Sequence, residues 1–263
     1  MARSAEGVVN WRRRTPAAGR VQNGQSGLAP NARETDSAFH CAPKEVVVIK
    51  SMSVISAENS SVPNFGVIGR LFVGGFAGLM VWEIWARLIT VAVLGGPLEP
   101  AGLVTSLVQH WTGYQMPRLA AEAAHYAIGI VGYPVAYFVI SRAFRYWVPT
   151  LDAAVWAIFT LFAGHALLQG SATPFMGVFW LIVTVVTMTR FINPSRLIAD
   201  CLSWGSFTWF NALGVMAPLA GLPFLLMEWG GGLSFMSYVG HVIYGFTAAY
   251  VFEKWQRQSH RRS

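Results

Sequence analysis

The 263-residue chain has few charged residues and almost no cysteine. Lysine, arginine, aspartate and glutamate make up 12% of the residues, whereas 54% are hydrophobic. A soluble domain normally carries about a quarter charged residues, so this composition excludes an ordinary soluble protein and indicates a membrane protein. The two cysteines, Cys41 and Cys201, lie far apart in the sequence. Their number and separation exclude a disulfide framework and a cysteine-based metal site.

The sequence also contains none of the common catalytic or nucleotide-binding motifs. It has no nucleophile elbow, no HExxH zinc motif and no desaturase-type histidine box. The glycine-rich stretch 74–78 lies in an apolar segment with no Lys-Ser/Thr pair after it, so it favours close helix packing over phosphate binding. The net charge of +7 fits basic residues beside membrane spans. We therefore expect the lipid bilayer as a partner and no nucleic acid, and the sequence assigns no catalytic residue.

Composition divides the chain into three parts. Residues 1–62 are polar and aperiodic, which predicts a disordered N-terminal segment. Lys44–Val46 can be encoded by a purine-rich string that resembles a ribosome-binding site, so translation starting at Met52 is a further hypothesis. N-terminal peptide mass spectrometry would test that start. Residues 63–255 form the predicted transmembrane helical domain, and residues 256–263 form a basic cytoplasmic tail.

Six apolar stretches are separated by glycine, proline or charged residues. They predict an all-α polytopic membrane helix bundle with about six transmembrane helices. The third and fourth stretches are short, and a single broken or re-entrant element is an alternative for them. A short amphipathic segment, Ala101–Tyr114, follows the first stretch. The predicted spans are Val67–Leu94, Leu119–Ser141, Leu151–Gln169, Phe175–Thr189, Leu197–Leu219 and Phe235–Phe252.

The charges between these spans predict their orientation. Basic residues favour the cytoplasmic side of a membrane, and six spans with both termini in the cytoplasm place nearly all of them there. The outside segments then hold Glu99, Glu228 and a single basic residue, Arg118. The cytoplasmic segments hold Arg142, Arg145, Arg190, Arg196, Lys254, Arg257, Arg261 and Arg262.

Ionisable residues inside the spans are the candidate functional residues, because such groups are unfavourable in lipid and usually face the bundle interior. Glu122 and His125 are three positions apart and share one helical face. In the six-span topology His125, His165 and His241 lie at a similar depth, roughly 6–10 Å below the outer surface. Imidazoles with a carboxylate are a ligand set for a transition metal, and two histidines can ligate a haem. The alternative is that the histidines form hydrogen bonds between helices.

Glu83 and Arg87 are a second candidate pair, in the first span. Opposite charges four positions apart on a helix partly neutralise each other. Together with Glu122 they are predicted to bind a charged ligand or to line a path for one. The alternative is a structural ion pair whose arginine extends outward to the membrane surface.

Three sequence patterns in these spans resemble those of a known protein family. Ala123–Ile130 reads AAHYAIGI, an acidic residue (Glu83) follows Met-Val-Trp after a run of glycines, and His241–Gly245 matches H-[LV]-[VI]-[FY]-G. The chain thereby resembles small multi-pass bacterial inner-membrane proteins that are classed only as domains of unknown function. The resemblance covers about Gly66–Ser141 and the last span. It implies a helical fold in the bacterial inner (cytoplasmic) membrane and carries no activity.

Three functions are compatible with the sequence. The first is an integral membrane protein whose histidines and Glu122 bind a metal, haem or small ligand in the outer-leaflet half. The second is a transporter or channel component in which the same polar residues line a path. The third is an accessory subunit of a larger membrane complex. The sequence decides neither whether the protein is an enzyme nor whether it is a homo- or hetero-oligomer.

Overall fold

The apolar stretches form helices in the computed structural model, which describes residues 65–143, 147–192 and 195–260. These residues contain no β-strand, and the predicted all-α fold class is confirmed for them. The predicted disordered segment 1–62 and the hypothesised start at Met52 lie outside the described residues. The last helix runs to His260, so residues 256–260 of the predicted basic tail continue it.

The described residues form seven helices, α1 to α7, in the order of the predicted segments. Gly95 ends α1 and Gly113 ends α2, each in the left-handed conformation that a residue without a side chain adopts without strain. Pro100 begins α2 and Pro174 begins α5, where the missing N–H leaves no hydrogen bond unmade. The helices are α1 (Phe65–Leu94), α2 (Pro100–Thr112), α3 (118–143), α4 (Trp147–Leu168), α5 (Pro174–Ile192), α6 (196–219) and α7 (Gly231–His260).

Three of these helices contain a π-helical segment. Such a segment adds one residue to a helical turn, shifts the hydrogen bonding and frees carbonyl oxygens for other donors. In α1, Thr90 Oγ1 donates to the Trp85 carbonyl at 3.0 Å. In α3, the Gly129 carbonyl accepts a 2.6 Å hydrogen bond from the Tyr244 hydroxyl of α7. The π-helical segments are Trp85–Ile89, Ile128–Gly132 and Phe210–Met216.

In the part of the chain that the structure describes, four helical stretches are long and apolar enough to cross a membrane. They are Phe65–Leu94, Arg118–Arg142, Thr150–Leu168 and Gly231–Ser259, and a shorter apolar stretch is Pro174–Thr189. Large apolar side chains cover their outer faces, including Phe76 and Leu161, as expected for contact with lipid. The predicted count of six spans and the cytoplasmic position of both termini stay predictions.

Helices α4 and α5 are two separate helices joined by a turn that includes Gly170. They pack against each other through a reciprocal pair of hydrogen bonds. Trp156 Nε1 on α4 donates to Thr184 Oγ1 on α5, and Trp180 Nε1 on α5 donates to Thr160 Oγ1 on α4, both at 2.9 Å. The third and fourth predicted spans are therefore two distinct helices, and whether both cross the membrane or form one re-entrant element stays a prediction.

Helix α7 is central to the bundle and packs closely against α1 and α6. A Cβ atom on Gly74 of α1 would lie 2.6 Å from the Ala248 carbonyl oxygen of α7. On the other side, a Cβ on Gly205 of α6 would lie 2.5 Å from the Val242 Cα. Glycine at these positions lets the backbones touch, as in other membrane helix pairs.

Candidate functional site

Helices α1 and α3 also meet at glycines, and this close approach brings their ionisable residues together. A Cβ on Gly75 of α1 would overlap the Ile130 carbonyl of α3, and Gly129 of α3 leaves room for Leu79 of α1. One helical turn or more beyond this contact, four ionisable side chains face one another. They are Glu83 and Arg87 of α1 and Glu122 and His125 of α3. We call them the outer network, after the side of the membrane on which the predicted topology places them.

Arg87 joins the two carboxylates of the outer network. Its Nε atom is hydrogen-bonded to Glu83 Oε2, and its Nη2 atom donates to Glu122 Oε2 at 3.0 Å and Oε1 at 3.2 Å. The planar guanidinium is suited to this because it presents donors in fixed directions. The side chain of Arg87 is 41% exposed, while those of Glu83 and Glu122 are 14% and 18% exposed. The arginine therefore covers two acids that lie deeper in the protein.

His125 completes the outer network from the inner side. Its Nε2 atom lies 3.2 Å from Glu83 Oε1, and both side chains are 14% exposed. Because an ionised carboxylate only accepts hydrogen bonds, Nε2 carries the hydrogen. Glu83 thus uses one oxygen toward His125 and the other toward Arg87. Two carboxylates and one guanidinium leave a net charge of −1 when His125 is neutral and no net charge when it is protonated.

His241 of α7 is the second imidazole in this part of the bundle. Its Nδ1 atom lies 2.8 Å from the Ser237 carbonyl oxygen, which can only accept, so Nδ1 carries the hydrogen. The ring packs edge-on against Trp82, with 4.4 Å between the ring centroids. His125 and His241 are close enough to interact electrostatically. In its neutral form His241 therefore keeps Nε2 as a proton acceptor near the outer network.

The three predicted metal-ligating histidines do not meet at one site. His165 is exposed near the end of α4, a helix that packs against α5 and α6. Within residues 65–143, 147–192 and 195–260, no group of three His, Cys, Asp or Glu side chains could hold a metal ion. His125 directs Nε2 at Glu83, so His125 and His241 do not offer two unengaged Nε2 atoms to a haem either. Residue counting gave the depth of the histidines, whereas helix packing decides the direction in which each one faces.

Two tyrosines deeper in the bundle escaped the sequence reasoning, whereas their neighbour Asn211 is a lesser polar candidate in the fifth predicted span. The Tyr133 hydroxyl of α3 accepts a 3.1 Å hydrogen bond from Asn211 Nδ2 of α6. The Tyr133 ring lies 6.0 Å from that of Tyr244, whose hydroxyl bonds to the Gly129 carbonyl. Tyrosines in spans are easily taken for members of an interfacial aromatic belt. The signal that could have found Tyr133 is its spacing from His125 and Gly129, which repeats every four residues.

Comparison with known proteins gives no family for this chain. No family model, curated protein or solved structure matches it. The chemistry of the outer network is therefore argued from its own geometry. That geometry offers one proton-accepting imidazole, one bridged pair of carboxylates and partial exposure through Arg87. Such a set can take up and release a proton and can attract a cation.

Proposed function

We propose that this chain is a transporter or channel component of the bacterial inner membrane and that its path carries protons. The outer network is the entrance of that path. The observation that supports this most directly is the carboxylate–imidazole pair of Glu83 and His125 within an apolar helix bundle. The distance from Glu83 Oε1 to His125 Nε2 is 3.2 Å. Ionisable pairs at such positions are unfavourable in lipid and recur in proton relays.

The composition of the outer network favours this function over a purely structural ion pair. Arg87 alone neutralises Glu83 on the same helix, and a purely structural ion pair would need no further charged residue. Glu122 and His125 add a second acid and a titratable base from another helix. The resulting net charge of −1 is removed by one proton on His125. The network can therefore accept one proton, whereas the neutral pair of Glu83 and Arg87 has no net charge for a proton to neutralise.

The π-helical segments lend further support because such insertions occur frequently at functional sites. Arg87 lies within the segment Trp85–Ile89 of α1. His125 lies three residues before the segment Ile128–Gly132 of α3. Both helices that supply the outer network thus depart from α-helical hydrogen bonding beside it.

The proposal includes the six-span topology with both termini in the cytoplasm. The shorter helix α5 and the composite helix α6 then also cross the membrane. Under this topology the outer network lies in the half of the bundle nearer the outside, and the basic residues of α3 and α7, Arg142 and Lys254, lie at the cytoplasmic side. The resemblance to bacterial inner-membrane proteins is consistent with this placement.

Proton flux into liposomes tests the proposal. The purified chain is reconstituted with the pH-sensitive dye pyranine inside, and a potassium gradient with valinomycin supplies the driving force. We expect the wild type to change the internal pH faster than protein-free liposomes. Glu83→Gln removes the acid that holds His125 with little change in shape, so it should reduce flux to the protein-free level.

The matched control is Glu99→Gln. Glu99 is an exposed glutamate just before α2 that forms no part of the outer network, so its replacement should leave flux unchanged. Wild-type flux equal to that of protein-free liposomes would overturn the proposal. Equal loss in both variants would show that the effect of Glu83→Gln is not specific to the network.

A further inference from the structure

We infer that Glu253, together with Tyr137 and Arg142, forms a second proton site at the opposite end of the bundle, where the proton leaves. We call these three residues the inner cluster. The inference rests on the proposed function, because it assigns the exit of the same path. Nothing in the sequence patterns or the outer network assigns this site.

The inner cluster contains a buried carboxylate that accepts hydrogen bonds from two residues. Glu253 of α7 is 6% exposed. The Tyr137 hydroxyl of α3 donates to its Oε1 at 3.3 Å. Arg142, also on α3, places Nη2 3.0 Å from Oε1 and 3.1 Å from Oε2. Its guanidinium lies 5.8 Å above the ring of Phe252, which holds it against α7. Arg142 alone would suffice for an ion pair with Glu253. The hydrogen bond from Tyr137 in addition connects the carboxylate to the interior of the bundle.

The two polar groups are separated by a large part of the membrane thickness. Helix α3 carries Glu122 of the outer network and Tyr137 of the inner cluster. The fifteen residues between them span about 22 Å along a helix. On α7, the twelve residues from His241 to Glu253 span about 18 Å. The hydrocarbon core of a bilayer is about 30 Å thick. One group therefore lies toward each side of the membrane.

Tyrosine hydroxyls lie along α3 and α7 between the two groups. Tyr133 and Tyr244 face each other at mid-bundle, and Tyr137 is one helical turn beyond Tyr133. In the structure the Tyr244 hydroxyl donates to the Gly129 carbonyl and the Tyr133 hydroxyl accepts from Asn211. A hydroxyl can accept one proton while it donates another, so these hydroxyls can take part in a relay that water bridges. At the exit, the Tyr137 hydroxyl donates its proton to the Glu253 carboxylate and takes another from a hydronium ion on its interior side, which is left as water. Glu253 then releases its proton to the cytoplasmic side. One proton enters, one leaves, and no other bond changes.

Other polar and charged groups lie near the inner cluster. Asp200 and Cys201 of α6 lie within electrostatic range of Tyr137, and Cys201 lies within that range of Glu253. Arg257, one turn along α7, lies within electrostatic range of Cys201.

The test uses the same proteoliposome assay with Glu253→Gln and Tyr137→Phe. Glu253→Gln removes the proton acceptor, and Tyr137→Phe removes only the hydroxyl that donates to it. We expect each to reduce proton flux by about a hundredfold, the lower end of what a positioned proton-transfer group contributes. Lys254→Gln changes the charge of the exposed neighbouring residue and should leave flux at the wild-type level.

A pH profile separates a proton site from a structural contact. Glu253→Asp keeps the acid but moves it, so we expect partial flux whose dependence on cytoplasmic-side pH is shifted while its dependence on outer pH is unchanged. Wild-type flux in either Glu253→Gln or Tyr137→Phe, with loss of flux in Glu83→Gln, overturns the inner cluster and leaves the proposed function standing. Absence of flux in the wild type overturns both. If Glu253→Gln does not fold, as judged by gel filtration, Tyr137→Phe decides alone.

Discussion

At the scale of single residues, Arg87 joins two carboxylates from different helices of the bundle. It bonds to Glu83 along its own helix and to Glu122 across to α3. A lysine at this position would present a point charge and could not hold both acids in the same geometry. The arginine is therefore a positioning residue for the pair of Glu83 and His125.

Replacing Arg87 should expose this role in stability. Arg87→Gln leaves two carboxylates facing each other without a counter-charge. We expect the free energy of unfolding to fall on the order of 2 kcal/mol, between the values for exposed and buried ion pairs. Adding Glu122→Gln should recover most of that loss because only one acid remains.

Chemical unfolding in detergent, followed by tryptophan fluorescence, measures both variants. If the double variant is less stable than Arg87→Gln alone, Arg87 is not the bridge between the two acids. Glu99→Gln serves again as the control, since its side chain lies outside the network and should change stability little.

The sequence could predict only part of the site, for reasons visible in individual residues. The spacing of Glu83 and Arg87 predicts a contact because both lie on one helix with a known repeat. The contact of Glu83 with His125 depends on the packing of α1 against α3 and could not be derived from spacing. His165 was grouped with His125 by depth, and the packing of α4 directs it elsewhere.

At the scale of helices, glycines fix how closely neighbours approach. A Cβ on Gly245 of α7 would overlap the Gly205 Cα of α6, so the two backbones are in direct contact. Gly177 of α5 differs, because a Cβ there would have no neighbour within 4 Å. Both positions are glycines within helices, Gly177 in the first turn of α5 and Gly245 in the middle of α7, and they differ in packing.

Alanine substitution at these two positions should therefore have opposite effects. Gly245→Ala forces α6 and α7 apart, and overpacking of this kind typically destabilises by about 1–3 kcal/mol. Gly177→Ala removes backbone freedom from the unfolded chain and should stabilise by up to about 1 kcal/mol. Thermal unfolding in detergent gives both values. Equal destabilisation by the two substitutions would contradict the close contact of α6 with α7.

The helices themselves were largely predictable, and their internal irregularities were not. Apolar runs bounded by glycine, proline and charge give the existence and approximate ends of α1 and α3 to α7. The π-helical segments, such as Phe210–Met216, leave no such signal. A helix that is apolar on all sides carries weak periodicity, so one inserted residue does not disturb a visible pattern.

At the scale of the whole molecule, the number of crossings is the main prediction from charge. Six spans place the turn between α4 and α5 outside and the end of α7 in the cytoplasm. Cysteines introduced as Ser171→Cys and Ser259→Cys report these two positions, in a background with Cys41 and Cys201 replaced by serine and alanine respectively.

A membrane-impermeant maleimide added to intact cells should label Ser171→Cys. Ser259→Cys lies at the end of the last helix, which the prediction places in the cytoplasm. It should therefore react only after the membrane is permeabilised. Labelling of Ser259→Cys in intact cells would contradict the cytoplasmic C-terminus. Protection of Ser171→Cys under both conditions would contradict the outside position of the α4–α5 turn.

The backbone contact between α6 and α7 has a consequence for electrical insulation. Where Gly205 and Gly245 meet, no space for a water molecule or an ion separates the two helices. The proton path proposed above therefore does not run between α6 and α7 at the level of these two glycines. We expect it on the side of α7 whose Tyr244 and Glu253 bond to α3.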